Sequence, residues 1–283
     1  MTLTIREKEI WREIEEWEFD TFYGKETDFS RTYQLLFDRA VLSINVLDTK
    51  KMLSRIENIL FHFHAMLLQT RIDKQAKSEL IDQARIFRSD IYEIKDMQKL
   101  SIDQIRFLAK KQLARQRLTA LAQGGLTGAG GVIFTLSDLP LLLMINLRTV
   151  HLIATTYGYD LRKPYELMLV LKVFHAVSLP RTLRKKAWDQ LFEELNLNDE
   201  DLFFYEGEED VLSSGWIQQP MKHIVKLFFL IFARKKLIQG IPIFGILVGS
   251  AFNYRFTNYI AVASHQFYQK RWLLEKKGRT SSS

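Results

Sequence analysis

The 283-residue chain has no cysteine, only five prolines and only thirteen glycines. Without cysteine there is no disulfide, no thiolate metal site and no cysteine nucleophile, a usage that fits a reducing compartment. Residues 1–20 carry acidic side chains and no continuous apolar core, so they do not read as a secretory leader, and the expectation is a chain that stays in the cytoplasm. Strand-like alternation of useful length is missing too. Apolar residues instead recur at three- and four-residue spacing, which predicts an all-α, multi-helix bundle.

Motifs that would announce chemistry are equally scarce. There is no HExxH, no paired CxxC, no EF-hand loop and no GxSxG elbow. Of the six histidines (His62, His64, His151, His175, His223 and His265), the close pair His62 and His64 projects to different sides of a helix. No metal, cofactor or catalytic residue is therefore assigned.

What the chain does have is positive charge. Forty Lys and Arg against 33 Asp and Glu leave +7, which favours an anionic partner. No nucleic-acid fold signature accompanies that charge, so the expected partner is an anionic membrane surface and not nucleic acid. Two basic clusters interleave with aromatics and are the candidates for that contact. The first is Arg181, Arg184, Lys185 and Lys186; the second is Lys270, Arg271, Trp272, Lys276 and Lys277.

Helix positions follow from pattern and punctuation. Ile10, Trp11, Ile14 and Trp17 mark a first helix, Tyr33 to Ile44 a second, Met52 to Phe63 a third, and Ile81, Ala84, Phe87 and Ile91 a fourth. Ser101 with Gln104 reads as a capping box opening the next. Asp138 and Pro140 open a helix that Gly158 ends in the left-handed C-terminal position. Pro164 opens another that closes before Pro180, a basic amphipathic helix follows, and Pro242 opens the last and longest. The acidic stretch 198–210 reads as a solvated connection.

Two glycine-rich segments interrupt this helical text. Five glycines between Gly124 and Gly131 cost a helix about 4–5 kcal/mol in propensity unless backbones pack closely there. Gly124, Gly128 and Gly131 share one helix face, and Gly245 and Gly249 share another. The expectation is that these faces meet. Leu118 to Ser137 and Leu237 to Tyr254 carry no charge and approach the length of a membrane span. A central Arg148 in the neighbouring apolar run is costly in lipid, so a buried bundle is favoured over a re-entrant apolar hairpin. Arg148 and His151, three apart, could form a polar pocket with Asp138 and Asp160.

From Ile94 to Glu275 the chain resembles the EcsC protein family. The matching residues are Gln123 to Gly131, Asp138-Leu139-Pro140, Asn146-Leu147-Arg148, Tyr157-Gly158-Tyr159-Asp160, and Ile241-Pro242 with Gly245, Gly249, Asn253, Phe256 and Thr257. Residues 1–92 then form an N-terminal helical region, 93–278 the EcsC-like helical domain and 279–283 a disordered tail. The resemblance implies a bacterial, envelope-associated helical domain without an assigned activity, with an envelope protein such as an ABC transporter as a partner. The expected function is a non-enzymatic accessory or scaffold at the cytoplasmic membrane surface, peripheral or partly inserted. A lipid or apolar-ligand binder, and an enzyme using Asp138, Arg148 and His151, are the competing readings.

Overall fold

The computed structural model describes residues 3–25, 31, 71–128, 138–179, 181–196 and 242–278. Among them every regular element is helical: α1 (Ile5–Phe22), α2 (Arg71–Arg85), a 3-10 helix (Ile94–Lys99), α3 (Ile102–Gly128), α4 (Asp138–Thr156), α5 (Pro164–Ser178), α6 (Arg181–Asn196) and α7 (Pro242–Gly278). The all-α expectation is met. The second and third expected helices and the acidic stretch lie outside the described residues.

Local chemistry accounts for the ends. Thr4 accepts from the Glu7 amide at 3.2 Å while Glu7 accepts from the Thr4 amide at 2.9 Å, a reciprocal cap on α1. Ser101 and Gln104 cap α3 the same way, as the spacing predicts. Pro164 stands at the start of α5 and Pro242 at the start of α7. The fourth expected helix stops sooner than its apolar spacing suggests. α2 ends at Arg85, the amides of Phe87 and Arg88 close back on the Ala84 carbonyl, and Arg88 grips Asp90 at 2.9 Å. Ile91 is buried from a turn, and that imitates helical periodicity.

The 37-residue α7, about 55 Å long, is the axis of the assembly. α3, α4, α5 and α1 all pack on it; α6 covers α5 and α1, and α2 with the 3-10 helix covers α3 and α4. The core is continuous, running from Ile10 and Ile14 of α1 through Ile105 and Leu108 of α3, Val150 and Ile153 of α4 and Val170 and Phe174 of α5 to Ile260 and Phe267 of α7. No described helix is long and apolar enough to cross a membrane. The helices carrying Gly124, Gly128, Gly245 and Gly249 lie against each other, and Gly131 lies outside the described residues.

Candidate functional site

Among the described residues, buried polar chemistry concentrates where the turn after α4 meets the C-terminal half of α7. The turn is built on Gly158, whose φ of 87° places it in the left-handed region that glycine alone enters freely. A side chain there would also collide, since a Cβ would stand 2.7 Å from Gln98 Cγ and 3.2 Å from the Gln98 amide nitrogen. This close approach to the 3-10 helix turns Tyr157 and Tyr159 inward.

The Tyr157 hydroxyl shares a hydrogen bond of 3.0 Å with His265 Nδ1 and donates to Gln269 Oε1 at 3.5 Å. Burial, with Arg106 and Lys110 adding like charge, pushes the His265 pKa down to about 3 and keeps the imidazole neutral. Burial raises the Tyr157 phenol well above its usual value. Tyr268 stacks beside Tyr157, with ring centroids 6.5 Å apart, and contacts Tyr159 at 5.4 Å.

A charged cluster adjoins these rings. Arg271 is 6% exposed and forks onto Glu166, itself 7% exposed, through Nη1 at 2.6 Å and Nη2 at 2.7 Å. Its Nε donates to Glu275 at 2.7 Å, and its guanidinium lies 3.8 Å from the centre of the Tyr159 ring. Burial works against the Arg271 charge, yet Tyr159, Glu166 and Glu275 together raise its pKa. Glu275 is pushed up by burial despite the guanidinium beside it. Glu166 occupies the first turn of α5, where the helix dipole favours a carboxylate.

The residues expected to form a pocket are distributed differently. Asp138 opens α4, and Arg148 follows ten residues later on the same helix, about 15 Å away. His151 is buried on that helix, and Arg148 is half-buried. Asp160 grips Arg162 at 2.6 Å, a contact that lowers the Asp160 pKa. The Asp138 side chain lies outside the described ones.

Most of the expected membrane-facing cations engage groups of the same chain. Arg181 donates to the Phe22 carbonyl at 3.3 Å and to the Gly24 carbonyl, stopping the end of α1. Arg184 donates to the Leu179 carbonyl and lies 4.1 Å from the centre of the Tyr259 ring, and Lys185 pairs with Asp189. Lys270 binds Glu18, Lys276 binds Glu7, and Lys277 sits 3.7 Å from the centre of the Trp11 ring. Arg271 and Trp272 are buried, and Lys186 is exposed. The physical reason is charge matching: the acidic face of α1 supplies partners for the basic end of α7.

A cleft of about 440 Å³ opens beside this contact, between the N-termini of α1 and α3 and the end of α7. Its wall includes Arg6, Glu7, Lys99, Asp103, Glu275 and Lys276. Leu100, Ile102 and Trp272 also line it, so apolar surface lies beside the charged groups. Among the described residues no group of His, Asp and Glu is arranged to hold a metal ion.

Spacing identified the Tyr157 to Asp160 turn, but it did not show that Glu166, Arg271, Glu275, His265 and Gln269 converge behind it. A guanidinium with acids in neighbouring helices was the available signal. The model of the EcsC protein family matches residues 8–273, nearly the whole chain. The chain belongs to the EcsC family. That match begins well before Ile94, so most of α1 falls within it. Two relatives of this EcsC-family chain come from Bacillus subtilis (strain 168). Uncharacterized protein YdbA is 28% identical over 192 residues, 68% of this chain and 66% of its own length. Protein EcsC is 26% identical over 184 residues, 65% of this chain and 70% of its own. The chain thus spans about two thirds of each relative it matches. No solved structure matches it.

Proposed function

We propose that this EcsC-family chain is a non-enzymatic accessory or scaffold that works at the cytoplasmic face of a membrane. One observation carries the reading. A chain of net charge +7 leaves large apolar side chains in water beside exposed cations, among them Ile86 at 80% and Phe107 at 58% exposure. Exposed apolar residues grouped with basic ones suit an interface with anionic headgroups below and hydrocarbon beyond. The buried Arg271 cluster supports a mechanical role. Its guanidinium donates to both Glu166 and Glu275, and such a network ties α5 to α7.

In this reading an ABC transporter or another envelope protein is a partner recruited at the membrane, and the charged cleft beside α1 is available to it. Flotation with vesicles tests the proposal. The protein floats with vesicles containing phosphatidylglycerol, stays behind with pure phosphatidylcholine, and is released as salt screens the attraction. Failure to float with either vesicle overturns it.

A further inference from the structure

We infer that the elbow joining α2 to α3 is the surface that meets the anionic bilayer, with Ile86 and Phe107 entering the headgroup layer. This rests on the membrane-surface reading above and names the residues that carry it out. Phe87 and Phe107 touch edge to face, with centroids 5.9 Å apart and planes at 81°, so the turn after α2 and the face of α3 form one apolar ridge. Ile86 stands next to it, and Tyr92, 70% exposed, closes the far side under Arg85, whose guanidinium lies 5.3 Å from the ring centre.

This ridge has the charge an anionic bilayer requires. Residues 71–118 contain twelve Lys and Arg against seven Asp and Glu, so this stretch holds most of the chain's net charge. Contacts with α1 leave that balance unaltered, because Arg6 is given to Asp103 and Glu13 to Arg106. Lys110 and Lys111 are exposed and share the Phe107 face of α3, three and four residues on. Leu118, 66% exposed, continues that face one further set of turns along. Aromatic rings at headgroup level with lysine and arginine around them is the arrangement expected of an interfacial contact. In the clusters of α6 and α7, Arg181, Lys270 and Lys276 are engaged with carbonyls and carboxylates of the same chain, as Arg88, Lys99 and Arg115 are beside the ridge.

The absence of native cysteine makes the test direct. Ile86→Cys, Phe107→Cys and, as a control on α6, Leu183→Cys are each labelled with an environment-sensitive dye in the full chain. The labelled proteins are titrated with phosphatidylglycerol-containing vesicles. Emission shifts to the blue and gains intensity at positions 86 and 107, and stays unchanged at 183. In parallel, the double variant Ile86→Ser with Phe107→Ser floats with at least tenfold weaker lipid affinity, about tenfold being the effect of one such side chain. Its circular dichroism and melting temperature stay at the wild-type values, because both residues are exposed. If wild-type protein floats but the dyes at 86 and 107 remain in water, this inference fails while the membrane-surface function stands. If the double variant binds vesicles as the wild type does, the inference is overturned, and a change in its mass in solution assigns the ridge to a contact between copies. If nothing floats, both readings fall.

Discussion

The Lys270 ammonium lies 2.7 Å from both carboxylate oxygens of Glu18, a residue 252 positions earlier in the chain. The same carboxylate accepts from the Trp188 indole at 2.8 Å, so one acid in α1 fastens both α6 and α7. Glu18→Ala is expected to lower unfolding stability by about 1–3 kcal/mol, because a half-buried ammonium and an indole N–H both lose their acceptor. A double-mutant cycle with Lys270→Met measures the pair itself, and a coupling of zero refutes the fastening.

Arg271→Ala leaves the buried Glu166 and the part-buried Glu275 without their shared cation. The expected cost is about 3–5 kcal/mol in urea unfolding. Arg271→Lys keeps the charge but loses the fork, and is expected to recover part of the loss. Wild-type stability in both variants removes the cluster from the structural account.

Gly158→Ala forces a Cβ into a left-handed backbone position and onto Gln98. A loss of about 1–3 kcal/mol is expected, read from the melting temperature. An unchanged melt rejects the tight turn.

His265 gives a pH dependence with a defined sign. Its folded pKa is about 3 against an ordinary 6.5, so the unfolded chain takes up the proton first. The stability contributed by the neutral ring is present above about pH 6.5 and is lost as the pH falls toward 3. Melting temperatures from pH 8 to pH 4 are expected to fall more steeply for the wild type than for His265→Gln. Identical slopes refute a neutral buried ring.

The glycine faces make the fifth prediction. α3 and α7 are antiparallel, because Ile102 and Asp103 border the same cleft as Trp272, Glu275 and Lys276. Counting about 25 residues from Asp103 and back from the Trp272 to Lys276 stretch, at equal rise, brings Gly128 level with Gly249. We propose that the backbones approach there. Gly128→Leu and Gly249→Leu are each expected to insolubilise or unfold the protein, and normal melting of both rules out the contact.

The local features of the fold were legible in the sequence: Ser101 and Gln104, Pro164, Pro242 and Gly158 act through their nearest neighbours, and each sits where its chemistry demands. Long-range pairing was not legible. The basic run at the end of α7 reads as a free surface when seen alone, since its partners Glu7 and Glu18 belong to a helix at the opposite end of the chain. The Thr4 and Glu7 cap was readable by the rule that found Ser101. Phe87 was misread because buried and half-exposed apolar residues in a turn can mimic helical spacing over a single repeat.

The tie between the opening helix and the closing one sets an order of events during synthesis. Until residues 270 and 276 are made, α1 has neither the lysine that meets Glu18 nor the one that meets Glu7, and Trp11 lacks the Lys277 ammonium over its ring, although Trp17 can already meet Trp188. A nascent chain stalled before residue 270 therefore holds α1 only through α3 and α6, and leaves its acidic face toward α7 open for a chaperone to hold.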